Sequence, residues 1–314
     1  MMIRKVAVVG AGMMGKGIAQ VCTNIEGVKV CLYDVKDVDI YQDIQKDFGM
    51  LGEKGIFTKE EMEERVKRIH FSTDLEDAAS NADLVFECVF ENLELKQDIF
   101  RQLEEICRED TIFATNTSVM SPTLISKKLQ KKARFVGTHF WNPAYLIPLV
   151  EVVIAEGTDF ETAQDVIRFL NEAGKKAVLC RKDVPGFIAN RMQHALWREA
   201  ISIVEQGIAD AETVDEAVKY SFGLRLPQLG PIENADMVGV DLTWNIHDYV
   251  LEYLEDSKEP SPLLKNLKEH GDLGFKTGKG FREYTQEEIN ASKNGLNDYL
   301  IKMIYGKIIS RNPE

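Results

Sequence analysis

Lys5-Val6-Ala7-Val8-Val9-Gly10-Ala11-Gly12-Met13-Met14-Gly15 decides the fold. Four apolar residues of a buried strand run directly into Gly-x-Gly-x-x-Gly, and an amphipathic segment, Lys16 to Thr23, follows. A second apolar run, Val28 to Tyr33, then ends in Asp34. Each part has a physical task. Gly10 permits the tight turn, Gly12 lets a pyrophosphate approach the backbone, and Gly15 lets helix and strand pack closely. Met13 and Met14 open a helix whose free N–H groups and dipole favour an anion. Asp34 can accept hydrogen bonds from ribose hydroxyls and would repel a 2′-phosphate, so the unit reads as a site for NAD rather than NADP. A glycine-rich turn of some other α/β fold is the competing reading. The order strand, glycines, helix, second strand, terminal acid stands against it.

Outward from this unit the strand-like runs recur at Leu84–Cys88, Thr111–Thr115, Phe135–His139, Leu149–Val153 and Lys176–Cys180. Helical patterns separate most of them, among them Asp98 to Cys107 and Thr162 to Leu170. Alternation of this kind implies a Rossmann-type α/β fold, a doubly wound and largely parallel sheet that binds ligands beyond the carboxyl ends of its strands. One insertion, about residues 36–70, breaks the rhythm. It reads as two charged helices joined near Lys54-Gly55, either a solvated hairpin or a lid over a substrate. After Asp183-Val184-Pro185-Gly186 the strands stop. Helices are expected at Phe187–Gln206, Ala211–Tyr220, Leu242–Asp256 and Glu287–Ile309. The expected domains are thus a dinucleotide-binding domain, 1–183, and an all-α domain, 184–314, whose apolar faces suit a partner subunit.

Bulk properties narrow the field. A chain of 314 residues exceeds one typical core. Its net charge of −13 argues against nucleic acid and anionic membrane as partners. No apolar run reaches the ~20 residues of a bilayer span. Met1-Met2-Ile3-Arg4 enters the first strand without a signal-peptide pattern, and a cytoplasmic location is expected. The five cysteines (Cys22, Cys31, Cys88, Cys107, Cys180) contain no C-x-x-C pair and read as reduced, mostly buried thiols rather than a disulfide framework or a zinc site. No metal is expected.

Among five histidines only His139 ends an expected sheet strand, and Phe140-Trp141-Asn142-Pro143 follows as a loop. Imidazole suits proton transfer near neutral pH. Glu151, twelve residues on, sits among apolar neighbours and needs a partner, since an unpaired buried charge is costly. His139 on the neighbouring strand is the economical partner, which would make a base held in its tautomer by an acid. A structural histidine beside a water-facing glutamate is the other reading. Asn116-Thr117-Ser118 also follows a strand, either facing the same cleft or merely opening the helix around Pro122.

These residues fall in strings that resemble the L-3-hydroxyacyl-CoA dehydrogenase family over nearly the whole chain. They are residues 10–15, Glu91-Asn92-Leu93-Glu94-Leu95-Lys96, Asn116-Thr117-Ser118, His139-Phe140-Trp141-Asn142-Pro143, and Pro148-Leu149-Val150-Glu151-Val152. Pro185-Gly186-Phe187-Ile188-Ala189-Asn190-Arg191 and Gly274-Phe275-Lys276-Thr277-Gly278-Lys279-Gly280-Phe281 continue the match. The resemblance implies NAD as cofactor and reversible oxidation of a substrate 3-hydroxyl. It makes His139 the general base and Glu151 its orienting acid. Ser118 and Asn190 would bind substrate oxygens in a cleft between domains. Asn142 and Ser118 would approach the nicotinamide, and Asn116, Glu91, Lys96 and Lys276 fall at or beside cofactor positions. It also implies a homodimer through the helical domain.

Two departures matter. The family's acyl-CoA enzymes place a serine and lysines on the hairpin to hold the nucleotide of CoA. This chain has Gly49, Met50 and Glu53 at or near those positions and keeps only Lys54, which weakens the expected grip on a phosphate-rich carrier. Pro148, where lysine is common, and Gly223-Leu224-Arg225-Leu226-Pro227 look closer to the branch acting on free hydroxy acids such as L-gulonate or carnitine. Arg225 would suit a substrate carboxylate, or else an ordinary ion pair. Three readings follow. The first is an L-3-hydroxyacyl-CoA dehydrogenase. The second is a dehydrogenase of a free 3-hydroxy acid. The third is a non-catalytic, NAD-binding structural protein, against which the retained His139, Glu151, Ser118 and Asn190 argue.

Overall fold

The alternating apolar residues of the first strand set up two layers of core, one on each face of a single sheet. In the computed structural model, which describes residues 1–309 (side chains as far as Gly306), Val6 and Val8 pack with Ile18, Ala19 and Cys22 on one face. Ala7 and Val9 pack with Phe100, Leu103 and Phe113 on the other. The strands are β1 (Lys5–Val9), β2 (Lys29–Tyr33), β3 (Ile69–Ser72), β4 (Leu84–Glu87), β5 (Ile112–Asn116), β6 (Phe135–Phe140), β7 (Leu149–Val153) and β8 (Lys176–Cys180). Their order is β3-β2-β1-β4-β5-β6-β7-β8. All neighbours are parallel except β6 and β7. The chain reverses direction across the sheet between β1 and β4, so the crevice at their carboxyl ends is the topological switch point.

The helices of this part are α1 (Met13–Cys22), α2 (Tyr41–Glu53), α3 (Lys59–Lys67), α4 (Leu75–Ala79), α5 (Leu93–Ile106), α6 (Pro122–Ile125) and α7 (Phe160–Glu172). Then follow α8 (Ala189–Glu205), α9 (Ala211–Lys219), α10 (Pro231–Val238), α11 (Val240–Val250), α12 (Pro262–His270) and α13 (Gln286–Ile309). The two helices of the insertion form as the charge pattern implies, and Thr58 and Glu61 make a reciprocal capping box at the start of α3. The short edge strand β3 lies at the end of that insertion, and four residues without clear alternation give it no sequence signal. Helices α10 and α12 are also additions, each begun by proline in its first turn after Gly230 or Ser261. The expected helix through Asp256 ends earlier, at Val250, with a 3-10 turn over Leu251–Tyr253.

The chain divides into two compact units. The first runs Met1–Asn190 and takes in the chain again from Leu296; the second is Arg191–Gly295. This differs from the boundary at 183/184 for two reasons. The turn after Gly186 and the start of α8 are hydrogen-bonded to β7 through Ile188 and Ala189. At the other end, Leu300, Ile301, Ile304 and Tyr305 pack with Leu51, Met50, Ile56 and Phe57 of the insertion and with Tyr145 and Leu146. The insertion is therefore buttressed by the last helix, not solvated on all sides. Of the thiols, Cys22 and Cys180 are buried, whereas Cys31, Cys88 and Cys107 are only partly so. Among the described residues no helix is long and apolar enough to cross a membrane.

The close approach of α1 to β1 gives a direct test. A Cβ on Gly15 would lie 1.8 Å from the carbonyl oxygen of Gly10. Gly15→Ala is expected to lower the urea-unfolding free energy by about 3 kcal/mol, since backbone on both sides leaves nothing to yield cheaply.

Candidate active site

The dinucleotide site is built at the carboxyl end of β1. Gly10 has φ +107°, and a Cβ there would lie 2.8 Å from the carbonyl oxygen of Cys88, so only glycine brings the loop this close to β4. Nothing lies within 4 Å of the position a Gly12 Cβ would take, so the loop offers bare backbone to the crevice. Met13 is exposed and Met14 half-buried at the opening of α1. Asp34 stands one residue beyond β2; its Oδ2 accepts a hydrogen bond from Ala11 N at 2.9 Å and its Oδ1 one from Lys36 N at 3.2 Å. The carboxylate is thus tied to the glycine loop itself. Open backbone, a helix N-terminus and an anchored acid fit the pyrophosphate and ribose of NAD.

The second element is the pair on β6 and β7. His139 and Glu151 are directly opposed in the antiparallel register, so their side chains leave the sheet on the same face. His139 Nδ1 and Glu151 Oε2 are 2.7 Å apart, with both side chains buried. Glu151 Oε1 accepts from Ile188 N at 2.8 Å and Ala189 N at 3.0 Å. Burial opposes ionisation of Glu151, but the bond from His139 and the two N–H groups prevail and hold its carboxyl below the usual glutamate value. With Oε2 accepting, Nδ1 carries a proton, and neutral imidazole keeps its Nε2 lone pair for a proton from elsewhere. The ring is flanked by Trp141 and Phe187, with centroids 5.2 and 5.7 Å away. Phe187 is buried and has φ 49°, a left-handed conformation that costs a non-glycine residue about 1 kcal/mol. That turn is what aims the next two amides at Glu151.

A third, buried network joins the strand ends. Lys96 Nζ on α5 reaches Glu87 Oε1 at 2.8 Å, Glu87 Oε2 at 3.1 Å and Asn116 O at 3.1 Å, with Glu91 Oε2 at 3.4 Å. Thr115 donates to Glu87 at 2.6 Å. Burial pushes the Glu87 carboxyl up, against the pull of Lys96 and Thr115. Glu91 Oε1 accepts from Thr117 Oγ1 at 2.7 Å and Ser118 N at 3.0 Å. Asn116 Oδ1 accepts from Phe140 N at 3.2 Å, which ties the end of β5 to that of β6. Asn190 Nδ2 donates to Ser118 O at 3.1 Å. His139, Glu151, Asn190, Ser118, Asn116, Glu91 and Lys96 are therefore linked through the ends of β4–β7 and the start of α8. Lys96, expected as a cofactor contact, is fully buried, and its ammonium is taken up by protein oxygens; its role here is to tether the loops.

Asn142 is exposed in the loop after β6. That loop is pinned by the buried Lys175, whose ammonium bonds Ala144 O and Ile147 O and which burial pulls down to about 8. Lys54, expected to bind substrate, is instead paired with Asp298 of α13 at 2.7 Å, because the last helix returns to the insertion. Lys276 and Arg225 belong to the second unit and are exposed there; the Arg225 carbonyl accepts from Gln228 N and Leu229 N. Trp141 and Phe187 stood in the quoted strings without a role of their own, and Glu87 and Lys175 were not singled out in the sequence. Glu87 left a trace, an acid ending the apolar run Leu84-Val85-Phe86.

Removing the cation of the buried pair makes a test. Lys96→Met strands Glu87 without its partner and is expected to cost about 3–5 kcal/mol by urea unfolding, whereas Lys96→Met combined with Glu87→Gln should recover much of that loss.

Known proteins carry the same two-part order. Residues 5–184 match the family model described as 3-hydroxyacyl-CoA dehydrogenase, NAD binding domain, and residues 186–284 match the C-terminal domain of that family. A probable 3-hydroxybutyryl-CoA dehydrogenase of Deinococcus radiodurans is 39% identical over 284 residues, covering 89% of this chain and all of that protein. The human mitochondrial hydroxyacyl-coenzyme A dehydrogenase is 34% identical over 291 residues, 90% of this chain and 91% of that one. Among solved structures, 5-formyl-3-hydroxy-2-methylpyridine 4-carboxylic acid 5-dehydrogenase superposes with a TM-score of 0.84 at 30% identity, covering all of both chains. The (S)-3-hydroxybutyryl-CoA dehydrogenase of Ralstonia eutropha superposes at 0.76 and 32% identity, covering 91% of this chain and all of that one.

Proposed function

The chain belongs to the 3-hydroxyacyl-CoA dehydrogenase family of NAD-dependent oxidoreductases, and from that premise we propose that it reversibly oxidises the 3-hydroxyl of an L-3-hydroxyacyl-CoA to the 3-oxoacyl-CoA, with His139 as the base. The observation that carries this reading is the buried 2.7 Å contact between His139 Nδ1 and Glu151. His139 removes the hydroxyl proton at Nε2. Glu151, already ionised and fixed by two backbone amides, stabilises the imidazolium so formed. NAD supplies the acceptor for the hydride that leaves C3. Gly10, Gly12, Met13, Met14, Gly15 and Asp34 would hold its pyrophosphate and ribose, and Glu91, Asn116, Ser118 and Asn142 would shape its nicotinamide end, with Lys96 tethering the loops that carry them. Ser118 and Asn190 orient the substrate oxygen. In the reverse direction the imidazolium is the acid, so low pH favours reduction. A cytoplasmic homodimer is part of the same reading; exposed Trp244, Tyr249 and Ile232 in the second unit support a partner surface.

A second reading, oxidation of a free 3-hydroxy acid such as L-gulonate or carnitine, is favoured by two observations. Lys54, the last cation left at the hairpin positions, is engaged by Asp298. The helix that carries Asp298 begins at Gln286, beyond residue 284 where the family model ends. A solved relative that matches the whole length of this chain is named for a pyridine carboxylic acid.

One assay tests both. NADH-dependent reduction of acetoacetyl-CoA is expected, and His139→Gln should lower kcat by about 10²–10⁴-fold. Turnover confined to L-gulonate or carnitine with NAD would replace the first reading by the second. Full activity of His139→Gln on any of these compounds would remove the proposed base.

A further inference from the structure

Away from the site, three donors of different chemistry converge at the edge of the sheet. Cys31 on β2 and His70 on the edge strand β3 are register partners, so their side chains stand side by side on one face. Asp77 reaches the same place from α4, the short helix packed on that face. The sulfur, an imidazole nitrogen and a carboxylate oxygen all lie within 4.8 Å of one another. None of the three side chains has a hydrogen-bond or ion-pair partner among the described residues, and neither does the mechanism use them. From this arrangement we propose that Cys31, His70 and Asp77 form a binding site for a borderline-soft divalent cation, with Zn2+ as the fitting ion.

The donor set selects the ion. One sulfur, one nitrogen and one oxygen match the ligands of Zn2+ and suit neither Mg2+ nor Ca2+, which take oxygen. Tetrahedral coordination with metal–ligand distances of about 2.0–2.3 Å puts donors roughly 3.3–3.8 Å apart. His70 and Asp77 are exposed and Cys31 is half-buried, which leaves their side chains room to rotate toward that spacing. Three protein donors leave a fourth position for water. Cys31 gives up its thiol proton on binding. Burial and the Asp77 carboxylate otherwise push that thiol up to about 11, so a cation between them turns an unfavourable neighbour into a shared ligand. Binding would clamp the edge strand to β2 and α4. No spacing motif announces the site, because its ligands come from three separate elements.

The test uses the full-length protein saturated with NAD and titrated with Co2+, then with Zn2+ in competition. A near-ultraviolet thiolate-to-Co2+ band is expected to saturate at one ion per chain and to be displaced by Zn2+. Cys31→Ser should abolish it, and His70→Ala and Asp77→Asn should each weaken binding by at least about tenfold. Zn2+ should also raise the melting temperature of the wild type and not of Cys31→Ser. No band in the wild type, or a band that survives Cys31→Ser, would overturn the proposal.

Discussion

A carboxylate cannot be buried in a sheet without partners, and Glu151 is met on both oxygens. One oxygen takes His139 Nδ1; the other takes the amides of Ile188 and Ala189. The rest of the site follows from that requirement. The sole antiparallel pairing of the sheet, β6 with β7, places the two side chains opposite each other on one face. The left-handed Phe187 turns the chain so that consecutive amides point at the carboxylate. The start of α8 is thereby fixed to the sheet, and with it Asn190. Fixing the acid fixes the tautomer of the imidazole, and the tautomer decides which nitrogen can receive a proton.

The Glu87–Lys96–Glu91 network does comparable work for the loops. An ion pair with no exposed surface contributes little net stability against an apolar replacement, yet it is costly to break from one side. Its consequence here is geometric. One ammonium collects oxygens from the end of β4, from the loop before α5 and from the end of β5, so two strand ends and the loop beside them share a common origin. Glu91 then extends the network to Thr117 and Ser118. Lys175 performs a similar service for the loop carrying Asn142, with backbone carbonyls in place of acids.

The sheet, the glycine loop and the His139–Glu151 pair were legible because each has a local signature. Apolar runs, a glycine spacing and an acid stranded among valines are all readable along one dimension. The edge strand β3 was not, since four residues give no period and the segment follows a charged hairpin. Helices α10 and α12 were missed where proline in the first turn reads as a loop. The fate of Lys54 was illegible for another reason: its partner Asp298 lies far along the chain, and nothing in either segment announces that the last helix returns to the insertion. Lys96 shows the same limit. Its position in the Glu91–Lys96 string marks it as functional, but its burial depends on Glu87 and Asn116, which belong to different strands.

The proposed chemistry depends on the protonation state of one ring. Nitrogen-15 NMR of the histidine-labelled protein, with His139 assigned by comparison with His139→Gln, reads the tautomer directly. Neutral His139 is expected to carry its proton on Nδ1, shared with Glu151, and to lose that preference in Glu151→Gln. A proton resident on Nε2 in the neutral wild-type ring would contradict that chemistry.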